Sequence, residues 1–290
     1  MKHRCLLVCI ALGWALVSPA CFAADAPKIE PDIVYGHKDG LALTFDMVRP
    51  EKPTGAAILF LQSGGWYSTW RDPQAMVPVC IPFLQKGLTV LIVRHGSAPK
   101  YNIPEAVADV RLCVRFIHLN AKKLELDADR LGVLGASAGG HLTLVLATTG
   151  DDGNPAAKDE VLKQSSKIAA GVALCPPTDL REWVTNPPDA IRKLAILKPP
   201  LTFDVTKAPD YSPVLHAAAT SAPVLLVHGD KDELVPIEHS QKMAAAFEKE
   251  KAVHKLLTIE GAGHSFNAQH NAIIAPEMIN WFVIHLAEKK

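Results

Sequence analysis

This chain has no excess charge of either sign: 30 basic residues stand against 30 acidic ones. No basic stripe marks it for nucleic acid, and no such partner is expected. Aromatic residues are scarce at 6 %, yet apolar residues make up 49 % and charged ones 21 %. That balance buries a core, which excludes a disordered chain. Long hydrophobic runs are missing. The apolar stretch Cys5 to Val17 has 13 residues, well short of the ~20 a membrane helix needs. Metal and nucleotide signatures are missing too: H-E-x-x-H, cysteine-pair, P-loop and G-x-G-x-x-G patterns do not occur. Histidines such as His141 and His228 lack metal spacing. No metal and no cofactor are therefore expected.

Cysteine is sparse and unevenly placed. Cys5, Cys9 and Cys21 fall in an N-terminal stretch that reads as a secretory leader. Lys2 and Arg4 precede the short apolar run, and Cys21-Phe22-Ala23 offers small residues at cleavage spacing. Cleavage after Ala23 is expected, giving a leader over 1–23 and a secreted or periplasmic mature chain over 24–290. Cys21 lacks a good lipobox before it. Cys80, Cys113 and Cys175 remain. An odd number allows at most one bridge and leaves at least one free thiol.

The mature part fits one α/β domain. Two β-rich runs flank Lys38-Asp39-Gly40, a hairpin signal. Continuous apolar runs follow at 56–62, 88–93, 130–135, 168–175, 223–229 and 254–260. Runs apolar on both faces suit central strands of a parallel sheet covered by helices. Between them lie helical patterns. The clearest has Asn102 as a cap and Pro104 in the first turn, with Ile103, Val107, Val110, Val114 and Ile117 on one stripe. Others cover 239–250 and 275–289. The alternation predicts a mostly parallel sheet of about eight strands flanked by helices. Segment 176–222 breaks the rhythm. It is rich in proline, carries Trp183, and is too long for a simple loop. It is read as a small cap inserted after the sixth strand.

The run Gly135-Ala136-Ser137-Ala138-Gly139 ends a predicted strand and opens a predicted helix. A sharp strand-to-helix bend needs residues without bulk on either side, and it lifts the hydroxyl at its tip clear of the sheet. A serine hydroxyl is a weak nucleophile until a base takes its proton and an acid orients that base. In this layout the chain order is serine, acid, histidine. Asp230 and Asp232 follow the strand at 223–229, and His264 follows the strand at 254–260. The ends of parallel strands are where open sheets bind ligands. A tetrahedral intermediate also needs backbone N–H donors. Ala138 supplies one by position. The loop "QSGGWYSTW" after the strand at 56–62 offers Gly64, Gly65 and Trp66. Trp66, Tyr67, Trp70 and Trp183 are candidates for the pocket wall.

These residues resemble the α/β-hydrolase fold, and within it the esterase/lipase group with an HGGG-type loop. The likeness is to acyl esterases of the BD-FAE-like kind and to catalytic domains of the prolyl oligopeptidase type. It is carried by "SGGW", "NIPEAVADVRLCVRFI", "DADRLGVLGASAGGHL", "SAPVLLVHGDKDELVP" and "GAGHSF". The resemblance implies that the acid is the aspartate opening D-x-x-V-P, which is Asp232. It implies structural roles for Asp109 and Arg115. Two departures stand out: Gln62-Ser63 replace the usual His-Gly, and Arg94-His95-Gly96 follow the next strand. The expected activity is that of a serine carboxylesterase acting on small aryl esters or acylated polysaccharide. A peptidase of the prolyl oligopeptidase type and a non-catalytic binding protein on the same scaffold are the alternatives.

Overall fold

The computed structural model describes residues 27–288. The expected leader, its cleavage point and Cys21 lie outside the described residues. Eight strands form one sheet in the order β1-β2-β4-β3-β5-β6-β7-β8. They are β1 (Lys28–Lys38), β2 (Leu41–Arg49), β3 (Ala57–Leu61), β4 (Thr89–Val93), β5 (Leu131–Ala136), β6 (Ala170–Leu174), β7 (Val224–Gly229) and β8 (His254–Ile259). β1 pairs antiparallel with β2, and β2 antiparallel with β4. Every later pair is parallel. The β1–β2 turn places Asp39 and Gly40 at positive φ, the twist-matching turn their sequence encodes.

Each central strand is buried on both faces, and its residues alternate between two layers. Leu59 and Leu61 of β3 and Leu91 and Val93 of β4 enter one core. Ile58, Val90 and Ile92 enter the other. Helix α1 (Pro73–Leu84) supplies Met76, Cys80 and Phe83 to that second core, beside the residues of α7 (Ala268–His285). Helices α2 (Ile103–Asn120) and α3 (Ala138–Thr149) cover the opposite face. α6 (Glu238–Lys249) continues that layer through Met243 and Phe247. α2 begins as its sequence predicts, with a capping box in which Asn102 and Glu105 satisfy each other's backbone N–H groups.

The chain reverses direction across the sheet between β3 and β5. β4 lies on one side of β3, and β5 on the other. The loops leaving the carboxyl ends of β3 and β5 therefore diverge and leave a crevice. Segment 176–222 sits between β6 and β7. It folds into α4 (Arg181–Thr185), α5 (Asp189–Arg192) and short 3₁₀ turns at Ala195–Leu197, Val205–Tyr211 and Pro213–Leu215. Trp183, Ile191 and Leu197 bury against the α2 and α3 side of the core. The three cysteines are buried and free, so the one permitted bridge does not form. Among the described residues, no helix is long and apolar enough to cross a membrane.

Candidate active site

The serine stands on a strained bend. Ser137 has φ 54° and ψ −119°, between the end of β5 and the start of α3. Few residues adopt that conformation without compensation. The Ser137 N–H donates to the carbonyl of Leu174 at 2.7 Å, which pins the bend to β6. The flanking glycines have steric causes. A Cβ on Gly135 would lie 2.3 Å from the Gly139 carbonyl, and one on Gly139 would lie 2.9 Å from the Leu61 carbonyl.

Three side chains distant in sequence meet here. Ser137 Oγ lies 3.0 Å from His264 Nε2, and His264 Nδ1 lies 2.7 Å from Asp232 Oδ2. An ionised carboxylate only accepts, so His264 carries its proton on Nδ1 and offers the Nε2 lone pair to the serine hydroxyl. Asp232 Oδ1 accepts the N–H groups of Leu234 and Val235 at 3.0 and 2.9 Å. Burial alone would raise the Asp232 carboxyl. Hydrogen bonds from His228 and His264 outweigh it and hold the group well below the usual carboxylate range. Asp230 does different work. Its Oδ1 accepts the Gly261 N–H at 2.7 Å and ties the β7 loop to the β8 loop.

The loop after β3 folds back on itself at once. Gly64 and Tyr67 exchange both backbone hydrogen bonds at 3.0 Å, with Gly65 (φ 56°) and Trp66 (φ 60°) at the tip. Positive φ at both central residues is the pattern of a type I′ turn. The Gly139 N–H donates to the Ser63 carbonyl at 3.2 Å, which staples this loop to the start of α3. Among the described residues, the backbone N–H groups of Gly65, Trp66 and Ala138 have no backbone acceptor. The Gly64 N–H is spent on Tyr67, so Gly64 is corrected from donor to turn closure.

A narrow cavity of about 80 Å³ opens at Ser137 and His264, lined also by Gly64, Gly65 and Trp66. Trp183 forms part of its wall. Ile191, Leu194, Ile196 and Leu197 of the insertion close it, with Leu234 and Val235 opposite. These apolar positions were missed in the sequence, where the prolines of 176–222 obscured the spacing 191, 194, 197. Tyr67 and Trp70 do not line the cavity, and both are corrected. The turn reverses the chain after Trp66, and Trp70 is carried out to 61 % exposure. A second, open hollow of about 880 Å³ lies far from this chemistry, among Asp127, Arg130, Lys167 and Glu288 at the other end of the strands.

The BD-FAE family pattern matches residues 45–247. The chain belongs to the BD-FAE family. It is similar to the probable carboxylic ester hydrolase LipM of Mycobacterium tuberculosis, with 26 % identity over 72 % of this chain and 49 % of that one. It is also similar to esterase LipC of the same organism, with 26 % identity over 84 % of this chain and 61 % of that one. The chain thus spans about half to three fifths of the length of these curated relatives. A truncated carbohydrate esterase from gut microbiota shares the fold at TM-score 0.72 and 22 % identity, over 90 % of this chain and 97 % of the other. The architecture is that of the α/β-hydrolases.

This BD-FAE member supports its β3 loop in its own way. Where His-Gly was expected, Ser63 Oγ lies 2.8 Å from Nε2 of His95, which follows β4. His95 Nδ1 donates to the Gly96 carbonyl at 2.8 Å, and burial keeps the ring neutral by lowering its pKa. Arg94 turns toward β2, where its Nη2 meets Asp46 Oδ1 at 2.9 Å. Asp109 Oδ2 accepts the Gly96 N–H at 2.8 Å, and Arg115 pairs with Asp151 at 2.6 Å. Cys175 brings its sulfur within 4.8 Å of ligand atoms of Asp232 and His264. Burial raises that thiol far above its ordinary range, and the other two groups are already joined through a proton. This donor set suits a hydrogen-bonded series better than a metal ion.

Proposed function

We propose that this protein is an exported serine carboxylesterase for esters of short acyl groups. The observation that carries the reading is the unbroken series Ser137–His264–Asp232 at the mouth of an apolar cavity. Ser137 Oγ attacks the ester carbonyl as His264 Nε2 takes its proton. The carbonyl oxygen becomes an oxyanion facing the free N–H groups of Gly65, Trp66 and Ala138. Collapse expels the alcohol, which receives the proton from His264, and leaves an acyl group on Ser137. Water, deprotonated by the same imidazole, then releases the carboxylic acid. Asp232 holds the ring in the tautomer both steps need. No cofactor or metal enters these steps.

The cavity takes the acyl side, and its apolar walls, closed by the insertion, suit a short acyl chain. The alcohol side is left to a small aryl group or to an acylated polysaccharide, consistent with a fold neighbour that is a carbohydrate esterase. Export follows from the leader pattern over 1–23. Nitrophenyl esters of increasing acyl length test the chemistry. Acetate and propionate turn over fastest, rates fall beyond butyrate, and Ser137→Ala loses on the order of 10⁴-fold or more in kcat. Fluorophosphonate labels the wild type and not the variant, and the exported protein begins at Ala24. An unlabelled wild type with no ester turnover would sink the reading.

A further inference from the structure

His141 sits on the first turn of α3 and is fully buried. Its Nδ1 lies 3.2 Å from Nε1 of Trp66, and its Nε2 lies 2.8 Å from the carbonyl of Tyr211 in the insertion. Indole nitrogen only donates and a carbonyl only accepts. The imidazole is therefore neutral, with its proton on Nε2 and its Nδ1 lone pair turned to Trp66. The rings meet edge to face at 5.5 Å. Trp66 is a bulky residue at φ 60°, a left-handed conformation that a large side chain adopts only under constraint. Surrounding contacts must hold it there. Trp183 packs edge-on against the same indole at 6.5 Å. Among the described residues, only His141 adds a directional bond to the indole; the Trp66 carbonyl accepts the Ala98 N–H at 3.1 Å.

We propose that His141 is a positioning residue for the oxyanion turn, holding Trp66 through the Nε1–Nδ1 hydrogen bond so that the Gly65 and Trp66 N–H groups keep their places beside Ser137. The inference rests on the ester-hydrolase reading above. It makes α3 do two tasks: its first residue supplies a donor at Ala138, and its fourth fixes the other donors across the crevice.

Two substitutions separate the bonds of His141. His141→Asn puts an acceptor near the place of Nδ1 and keeps the Trp66 bond while losing the one to Tyr211. His141→Gln reaches the Tyr211 carbonyl instead and loses the Trp66 bond. Trp66→Phe removes the same bond from the other side. Turnover is expressed per active site titrated with fluorophosphonate, so unfolded molecules do not count. His141→Asn is expected to keep kcat within about threefold of wild type, whereas His141→Gln and Trp66→Phe lose about 10- to 100-fold in kcat with KM little changed. Affinity for a trifluoromethyl ketone, whose hemiketal with Ser137 carries the oxyanion while His264 holds the serine proton, falls in parallel with kcat/KM. If His141→Gln does not fold, Trp66→Phe carries the test. Equal losses in the Asn and Gln variants, full kcat in Trp66→Phe, or a loss confined to KM would overturn the inference alone. A wild type inert toward esters overturns the ester reading and takes this inference with it.

Discussion

Asp232 decides which nitrogen of His264 carries the proton. Its Oδ2 faces Nδ1 at 2.7 Å, while its Oδ1 is occupied by two backbone N–H groups. In Asp232→Asn the amide oxygen keeps the backbone bonds and the NH₂ points at His264. The ring must then accept at Nδ1 and protonate at Nε2, where Ser137 needs a lone pair. We expect kcat to fall about 10³- to 10⁴-fold with little loss of Tm, measured on nitrophenyl acetate. Asp230→Asn is the control. It retains an oxygen for the Gly261 N–H, and activity should stay within about twofold, as for changes away from the reacting groups. The reverse ranking would assign the acid to Asp230. Both aspartates follow the same strand, so sequence spacing left them equal and only family resemblance favoured Asp232. The hydrogen bonds separate them.

At the scale of elements, the insertion walls the cavity beside Ser137. Leu197 lies on its 3₁₀ turn, and a Cβ on Gly65 would meet its Cδ2 at 2.8 Å, so the insertion presses directly on the Gly64–Tyr67 turn. Leu197→Ala should deepen the acyl cavity. The ratio of kcat/KM for hexanoate over acetate is expected to rise about tenfold or more, since each accommodated methylene is worth roughly 1–3 kcal/mol. An unchanged acyl-length profile would remove the insertion from specificity. Element order and most strand limits were legible because buried strands and amphipathic helices have different periods. α1 was not. It carries Pro78 and Pro82 inside the helix, and an internal proline reads as a break. Pro78 is exposed, so the carbonyl its missing N–H leaves unpaired is on the water side.

The whole molecule carries buried histidines held neutral, and that links its stability to pH. Burial lowers His141 from 6.5 to about 4, offset only in part by its bond to the Tyr211 carbonyl. Between those values the unfolded chain takes up a proton that the folded one refuses, so stability drops as pH falls from about 6.5 toward 4. His95 is shifted in the same direction by its burial. Asp232 acts lower down. Its depressed carboxyl stabilises the fold above the ordinary carboxylate range, and that contribution is lost as pH falls through its folded value. Thermal melts between pH 7 and pH 4.5 should show a falling Tm, and His141→Asn should flatten the slope. A Tm independent of pH in wild type would count against a neutral buried His141.

Strand order along the chain, the capped start of α2, the bend at Ser137 and the order serine, acid, histidine can all be read from the residues alone. These are local matters: periodicity, caps and glycine sterics act over a few residues, so neighbours in the chain suffice to state them. Tertiary structure alone decided that Gly64 closes a turn while Trp66 stands at its strained tip. It also sent Tyr67 and Trp70 away from the cavity, and brought Leu197 against Gly65 and His141 against Trp66. Those outcomes depend on contacts between segments separated by tens of residues. Such contacts leave no periodic trace, because each is fixed by the shape of the surface it meets rather than by its own neighbours.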